Sequence, residues 1–159
     1  MTTNEDIQEY SRQIRKGQIP EAYRAITKFM AGFKAHLEKK YPTHLASALY
    51  PGYLDMTYFA FTPPVLATKK LKIAIVYLHA QNAFEIWLSA VNKNIQSHYI
   101  QALANIVGRY KLSSFQPGVD SIVELRLPDE PNFDHVDQLE SELEHSFNAF
   151  LNDMLAIVF

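Results

Sequence analysis

The sequence predicts a single α+β domain in which a mainly antiparallel four-stranded sheet packs against helices, in the order ααβββαβα. Three β-prone and aromatic segments follow one another between residues 54 and 91. Segments with apolar residues at helical spacing lie on both sides of them. Strands grouped together between helices are typical of an α+β fold. A length of 159 residues fits one domain.

Two helices are predicted at the start of the chain, over residues 5–16 and 20–41. Gly17 provides a stop signal for the first helix, and Pro20 fits the first turn of the second. Pro42 ends the second helix, because the residue before a proline avoids the α conformation. The apolar stripe of the second helix faces the core. It consists of Ala22, Ile26, Phe29, Met30, Phe33 and Leu37.

Residues 43–50 are expected to form a short helical turn before three strands over 54–61, 71–79 and 84–91. A loop with two prolines joins the first two strands, and the turn over 80–83 joins the last two. The second strand is apolar on both faces, which predicts a central position in the sheet. The third strand alternates more clearly and predicts one wetter face. That face carries Glu85, Trp87 and Ser89.

The remaining elements are a helix over 94–107, a strand over 121–127 and a long helix over 134–156. Residues 109–120 are interpreted as a loop around a Pro-Gly turn. The last helix carries a long apolar stripe and ends in the apolar tail 154–159. Such a stripe packs on the core of its own chain or on a second copy, so a homodimer is one alternative.

Composition excludes several classes of protein. The chain contains no cysteine, which rules out thiol catalysis, disulfides and thiolate metal sites. The polar N-terminal segment lacks the apolar core of a signal peptide. No apolar run approaches the ~20 residues that a membrane-spanning helix needs. We therefore expect a cytoplasmic protein with no membrane partner.

Charge is distributed unevenly along the chain. Residues 1–40 carry eight Lys or Arg against five acids, whereas residues from 121 onward carry one Arg against nine acids. An acidic C-terminal part argues against nucleic acid as a partner. The six histidines are dispersed, and no glycine-rich phosphate loop is present. We therefore expect neither a metal site nor a cofactor.

Three blocks of sequence carry a resemblance to a known family. They are ALYPGYLDMTYFAFTP, KLKIAIVYLHAQNAFEIWLSAVNK and GRYKLSSFQPGVDSIVE. The chain resembles an uncharacterised bacterial family, a domain of unknown function, over essentially its whole length. Its order of elements is also similar to the YdhG-like domains of the MmcQ/YjbR-like superfamily, where IVYLHAQNAFEIWLSA corresponds to the hairpin. Some YdhG-like proteins are described as iron chaperones, so that resemblance implies iron handling, although no ligand set carries over.

The entry to the first strand holds one candidate ligand-binding group, formed by Tyr53, Asp55 and Tyr58. Tyrosines can form stacking walls and donate hydrogen bonds, and Asp55 can accept a proton or a donor. The alternative is structural. In that interpretation the tyrosines pack half-buried at the end of the sheet and Asp55 caps a turn.

A second group surrounds the tight connection of the hairpin and consists of His79, Glu85 and Trp87. His79 and Glu85 could meet across the hairpin as a proton-transfer or metal-binding pair. Two such groups do not complete a metal site. The alternative is that His79 is a surface turn residue.

Arg109 and Lys111 precede the fourth strand and are the third candidate group. They could bind an anion if they turn toward Tyr53 and Asp55. The alternative is a solvated basic loop.

The leading hypothesis is a non-enzymatic module that binds a small molecule or a protein. Its expected working surface comprises Tyr53, Tyr58, His79 and Trp87. The alternatives are a homodimer through the last helix, an enzyme that uses Asp55, His79 or Glu85 in acid–base chemistry, and iron handling.

Overall fold

Six antiparallel strands form one open sheet, which a computed structural model describes together with five helices over residues 1–159. The strands are β1 (Leu45–Ala46), β2 (Met56–Thr62), β3 (Leu71–Leu78), β4 (Ala83–Ala90), β5 (Lys111–Leu112) and β6 (Ser121–Arg126). The helices are α1 (Thr3–Lys16), α2 (Gln18–Lys40), α3 (Pro64–Ala67), α4 (Lys93–Ala102) and α5 (Val136–Val158). Neighbouring strands follow the order β1-β2-β3-β4-β6-β5. The α+β class and the antiparallel sheet are therefore confirmed.

The predicted four-stranded sheet is wrong in detail, because two short strands extend its edges. β1 lies where a helical turn was expected, and it pairs with the end of β2. β5 lies in the segment interpreted as a loop, and it pairs with β6. Each of these strands has only two residues, so neither shows the alternation by which a strand is recognised. The short helix α3 is also additional and occupies the two-proline loop.

The hydrophobic core lies between one face of the sheet and the helices α2 and α5. Alternation along β2 places Phe59 and Phe61 on this face, which we call the covered face. Phe33 of α2 packs edge-on against Phe59, with ring centroids 6.2 Å apart. Phe147 of α5 lies 5.9 Å from Phe61. The apolar stripe of α5 is thus buried against the core of its own chain.

A partly buried ion cluster joins α2 to α5 beside this core. The carboxylate of Glu144 accepts hydrogen bonds from His36 Nε2 at 2.7 Å, Lys40 Nζ at 2.5 Å and the Tyr41 hydroxyl at 2.8 Å. Burial alone would raise the pKa of Glu144. The hydrogen bonds from Lys40, His36 and Tyr41 outweigh it and lower that pKa to about 2. The cluster therefore fixes the two long helices relative to each other.

Helix α1 lies outside the core and packs mainly on α2. It contributes no buried residue, and Ile7 and Tyr10 stay more than half exposed. Gly17, at φ 90°, takes the left-handed conformation that separates α1 from α2. None of the helices combines the length and the apolar character that crossing a membrane requires.

Candidate functional site

The second face of the sheet carries small and polar side chains, and we call it the open face. The strand register places two rows of residues side by side on it. One row consists of Ala60, Ala74, Trp87 and Glu124, and the other of Tyr58, Val76, Glu85 and Arg126. Lys72 and Ser89 pair at one end of these rows. The open face is therefore chemically unlike the covered face, which is mostly aromatic and aliphatic.

A pocket of about 430 Å³ lies on the open face, and we call it the open-face pocket. Its floor includes Ala60 and Ala74, which are paired on adjacent strands. These small side chains leave space between the larger ones around them. The pocket is bounded by Met56, Tyr58, Lys72, Trp87, Ser89 and Gln96, together with the start of α4. Three strands and one helix thus contribute to a single cavity.

A network of hydrogen bonds and ion pairs holds the side chain of Trp87 in place. Its indole Nε1 donates to Glu85 Oε1 at 2.8 Å, and Arg126 Nε donates to Glu85 Oε2 at 2.6 Å. Arg126 also lies 3.6 Å from Asp129. Glu85 is only 6% exposed, and both of its oxygens have partners. Glu85 therefore positions the indole, whose rings remain available to the pocket.

Several polar groups that line the open-face pocket have no partner within the protein. Gln96 is 2% exposed, and its Nε2 donates to the carbonyl oxygens of Val119 and Ser121 at 2.8 and 3.0 Å. Its Oε1 is left without a donor. Ser89, which is 7% exposed, makes no side-chain hydrogen bond, and Lys72 Nζ has no carboxylate within ion-pair distance. These groups are available to a ligand.

Comparisons with known proteins place the chain in a family. The model of the family described as "Domain of unknown function (DUF7000)" matches residues 3–158, nearly the whole chain. The chain belongs to this family. Searches of curated proteins and of solved structures found no match. The DUF7000 description names no ligand or reaction, so the chemistry of the site has to be inferred from the geometry of this chain.

The other half of the open face in this DUF7000 chain is satisfied internally. Glu124 accepts a hydrogen bond from Ser121 Oγ at 2.5 Å and lies 3.5 Å from Lys111 Nζ. Ser121 Oγ also lies 2.6 Å from Ser113 Oγ. Each of these polar side chains has a partner.

Arg109 and Lys111 do not turn toward Tyr53 and Asp55. Lys111 begins β5 at one edge of the sheet and Arg109 lies two residues before it, whereas Asp55 directly precedes β2 near the opposite edge. Lys111 faces Glu124, and Arg109 stacks on the ring of Tyr110 and donates to its hydroxyl at 2.9 Å. The structure therefore does not assemble an anion site from all four residues.

Asp55 closes the turn that leads into β2. Its Oδ1 accepts from the backbone N–H of Tyr53 at 2.9 Å. Backbone hydrogen bonds from Tyr53 and then Met56 lower the pKa of Asp55 below its usual range. Gly52 is required in this turn, because its φ is 80° and a Cβ would lie 1.9 Å from the carbonyl oxygen of Met56. The structural alternative for Asp55, a turn cap, matches this geometry.

Tyr53 is 88% exposed. It lines a shallow, mostly apolar depression between α1, α2 and the turn, together with Tyr10 and Ile14. Tyr58, in contrast, is half-buried on the open face and borders the open-face pocket. The two tyrosines therefore line different depressions, and the ring of Tyr50 packs edge-on against both.

His79 belongs to the covered side of the hairpin. Its Nε2 lies 2.8 Å from Thr57 Oγ1, while the Thr57 hydroxyl donates to the carbonyl oxygen of Pro51 at 2.7 Å. A hydroxyl has one proton, so His79 Nε2 is the donor. The His79 ring stacks on Tyr23 of α2 at 5.9 Å. Glu85 lies on the open face, so the structure does not bring His79 and Glu85 together.

The eight residues singled out from the sequence thus fall into three separate places. Tyr58, Glu85 and Trp87 share the open face. Tyr53, Asp55 and His79 surround the turn before β2, and Arg109 and Lys111 lie at the start of β5. Sequence reasoning missed Lys72, Ser89 and Gln96. The available signal was Lys72, the single charged residue within the strand LKIAIVYL.

Across residues 1–159, no cluster of three or more His, Asp or Glu side chains is arranged to hold a metal ion. The side chains around Glu144 include a histidine, but both oxygens of the Glu144 carboxylate already accept hydrogen bonds from Lys40, His36 and Tyr41. The geometry therefore gives iron no evident set of ligands.

Proposed function

We propose that this domain is a non-enzymatic module that binds a small molecule in the open-face pocket. One observation carries the proposal: the exposed Lys72 ammonium, the Ser89 hydroxyl and Gln96 Oε1 line a cavity beside a fixed indole, and none of these three groups has a hydrogen-bond or ion-pair partner in the protein. When a ligand displaces water from such groups, each one left without a hydrogen bond costs about 1–3 kcal/mol. The pocket therefore favours a ligand that supplies the missing partners.

The shape and lining of the pocket support the same proposal. Ligand pockets commonly measure roughly 300–1,000 Å³ and combine apolar walls with a few polar groups. The open-face pocket, at about 430 Å³, lies within this range, but two other depressions have the same volume, so the lining rather than the volume favours it. Its apolar part comes from Met56, Trp87 and the two floor alanines, and its polar part from Lys72, Ser89 and Gln96. Because Glu85 and Arg126 fix the indole, little ordering is needed on binding.

Binding is favoured over acid–base catalysis because each candidate acid or base already has hydrogen-bond partners within the protein. Such chemistry needs a base within hydrogen-bond reach of the reacting group. His79 lies on the covered side, Glu85 is paired with Arg126 and Trp87, and Asp55 caps a turn. Asp55 and His79 are neighbours at the turn before β2, but neither lines the open-face pocket.

A homodimer and an iron-handling role have weaker support. A homodimer through α5 was suggested by its apolar stripe, but Leu143, Phe147 and Phe150 are fully buried within the chain. Iron handling rested on the YdhG-like resemblance, and no side-chain cluster favours it. Neither role has an observation comparable to the unpaired groups of the open-face pocket.

A ligand screen can test the proposal directly. Trp87 is the only tryptophan, so its fluorescence reports on the pocket, and thermal shift provides a second readout. Hits should lose binding in Ala74→Leu, which fills the floor, and keep it in Ala25→Leu, which makes the same change on the exposed surface of α2. Circular dichroism checks that both variants fold. Absence of any hit, or hits that Ala74→Leu leaves unchanged, would contradict the proposal.

A further inference from the structure

Lys72 gives the open-face pocket an unmatched positive charge. The other two charged residues in its lining are Lys93 and Asp120, whose side chains lie 3.5 Å apart. Lys93 Nζ also donates to the carbonyl oxygen of Val119 at 2.7 Å. These two charges offset each other, so Lys72 remains. The pocket therefore favours a ligand with one negative charge.

The start of α4 adds to this preference. Asn92 caps the helix by accepting from the N–H of Ile95 at 2.9 Å, and both Asn92 and Lys93 line the pocket. The N-terminus of a helix carries a partial positive charge, which stabilises a nearby anion. Together with Lys72, it places positive potential at the end of the pocket that borders α4.

Gln96 requires the ligand to supply a hydrogen-bond donor as well as a negative charge. Both carbonyl contacts of its Nε2 fix the orientation of the amide, so its free Oε1 is an acceptor rather than a donor. A ligand must bring an N–H or O–H group to satisfy it. Ser89, which pairs with Lys72 across the strands, can donate to an anionic oxygen.

Trp87, Ala60 and Ala74 together favour a planar ligand. Ala60, Ala74 and Trp87 lie in one row across three strands. The indole N–H is already bound to Glu85, so the ligand meets the π-system of Trp87 rather than its donor. A planar ring gains stacking and apolar contact there.

We propose that the open-face pocket selects a small planar acid, an aromatic or heteroaromatic ring bearing one carboxylate and one N–H or O–H donor. This inference rests on the proposed binding function and specifies its ligand class. The carboxylate lies against Lys72 and Ser89, the ring contacts Trp87, and the donor reaches Gln96.

A matched series of four compounds tests each part of the ligand. Calorimetry and Trp87 fluorescence should show the tightest binding for para-hydroxybenzoate. The neutral para-hydroxybenzamide should bind about tenfold more weakly, which corresponds to one lost charge contact. Benzoate lacks the donor and should bind more weakly than para-hydroxybenzoate. Cyclohexanecarboxylate also lacks the flat ring and should bind more weakly than benzoate.

Two variants test whether the preference for the acid depends on the charge of Lys72 or on the total charge of the protein. Lys72→Met keeps most of the stem and should abolish the preference for the acid over the amide. Lys28→Met removes an exposed charge from α2, far from the pocket lining, and should retain the preference.

The outcomes distinguish the two proposals. If the amide binds as well as the acid, or Lys72→Met changes nothing, the ligand class is wrong while binding in the open-face pocket stands. The ligand class is also wrong if no compound of the series binds but other hits remain sensitive to Ala74→Leu. If no compound of any kind binds there, both proposals fail.

Discussion

Trp87 donates its indole N–H to the carboxylate of Glu85, two positions earlier on the same strand, at 2.8 Å. Residues two apart on a strand share a face, so the contact forms within β4 itself. Arg126 then anchors the other oxygen of Glu85 from β6. An acidic residue that the sequence suggests for proton transfer therefore serves to orient an aromatic side chain.

Replacing Glu85 by glutamine should destabilise the protein and loosen Trp87. The change removes one carboxylate oxygen and the charge of Glu85, so Asp129, at 3.6 Å, is the only carboxylate left beside the guanidinium of Arg126, and we expect a loss of about 1–2 kcal/mol. Urea unfolding gives the free energy, and Trp87 emission in the folded state should change. Glu21→Gln is the control, because its ion pair with Arg24 is exposed and should cost about 0.5 kcal/mol or less. Equal losses in the two variants would show that Glu85 has no special role.

The surroundings of His79 predict two of its properties. The hydrogen bond to Thr57 predicts which ring nitrogen carries the proton of the neutral ring, and burial predicts a lowered pKa. Burial lowers the pKa of His79 below its ordinary value of 6.5, and the nearby charge of Asp55 opposes this only in part. The folded chain therefore binds this proton less readily than the unfolded chain. Stability from His79 is present above pH 6.5 and decreases as the pH falls toward the folded pKa.

Nitrogen-detected NMR of the imidazole can check both features. The neutral ring should carry its proton on Nε2, and its titration midpoint should lie below 6.5. His79→Asn assigns the signal, and Thr57→Val should disturb the tautomer without changing the other five histidines. A proton on Nδ1, or a midpoint above 6.5, would contradict the assignment.

The parts of the fold that could be predicted are those with long periodic patterns. The hairpin of β3 and β4 is eight residues long on each side and rich in β-branched and aromatic residues, so its alternation is evident. β1 and β5 form because the edges of β2 and β6 offer free backbone groups. That cause lies outside their own two residues, so no local pattern could reveal them.

The site was only partly predictable for a similar reason. Alternation correctly separates Glu85, Trp87 and Ser89 from the other face of β4. Ser89 and Gln96 are informative because the Ser89 hydroxyl and Gln96 Oε1 have no hydrogen-bond partner in the protein. That property depends on how β4, α4 and β6 pack together. His79 was misjudged because its bond to Thr57 and its stack on Tyr23 join segments distant in sequence.

Helix α1 should be dispensable for the core. Because it buries no residue, deletion of residues 1–16 should leave Trp87 emission and the near-ultraviolet spectrum largely unchanged. The expected cost is about 1 kcal/mol, from the partly buried contacts of Ile14. Removal of residues 151–159 is the contrast, since it eliminates the buried Leu151 and Met154 and should prevent cooperative folding. Loss of folding in both truncations would show that α1 is part of the core.

The ion cluster between α2 and α5 should make the free energy of unfolding depend on pH. The pKa of Glu144 falls from its ordinary value of 4.5 to about 2 in the folded chain. Its contribution is therefore fully present above pH 4.5 and is lost as the pH falls toward about 2.

Glu144→Gln isolates this contribution. At neutral pH the variant leaves Lys40 without its carboxylate and His36 with Glu140 alone, 3.4 Å from its Nδ1. We expect a loss of about 2 kcal/mol, reduced from the fully buried case because Lys40 is half exposed. Urea unfolding at successive pH values should show the difference from the wild type shrinking below pH 4.5. Glu38→Gln, whose partner Lys34 lies on the same helix at 3.2 Å, should have a much smaller effect at neutral pH. A difference for Glu144→Gln that stays constant down to the acid-unfolding limit would mean that its charge does not join the two helices.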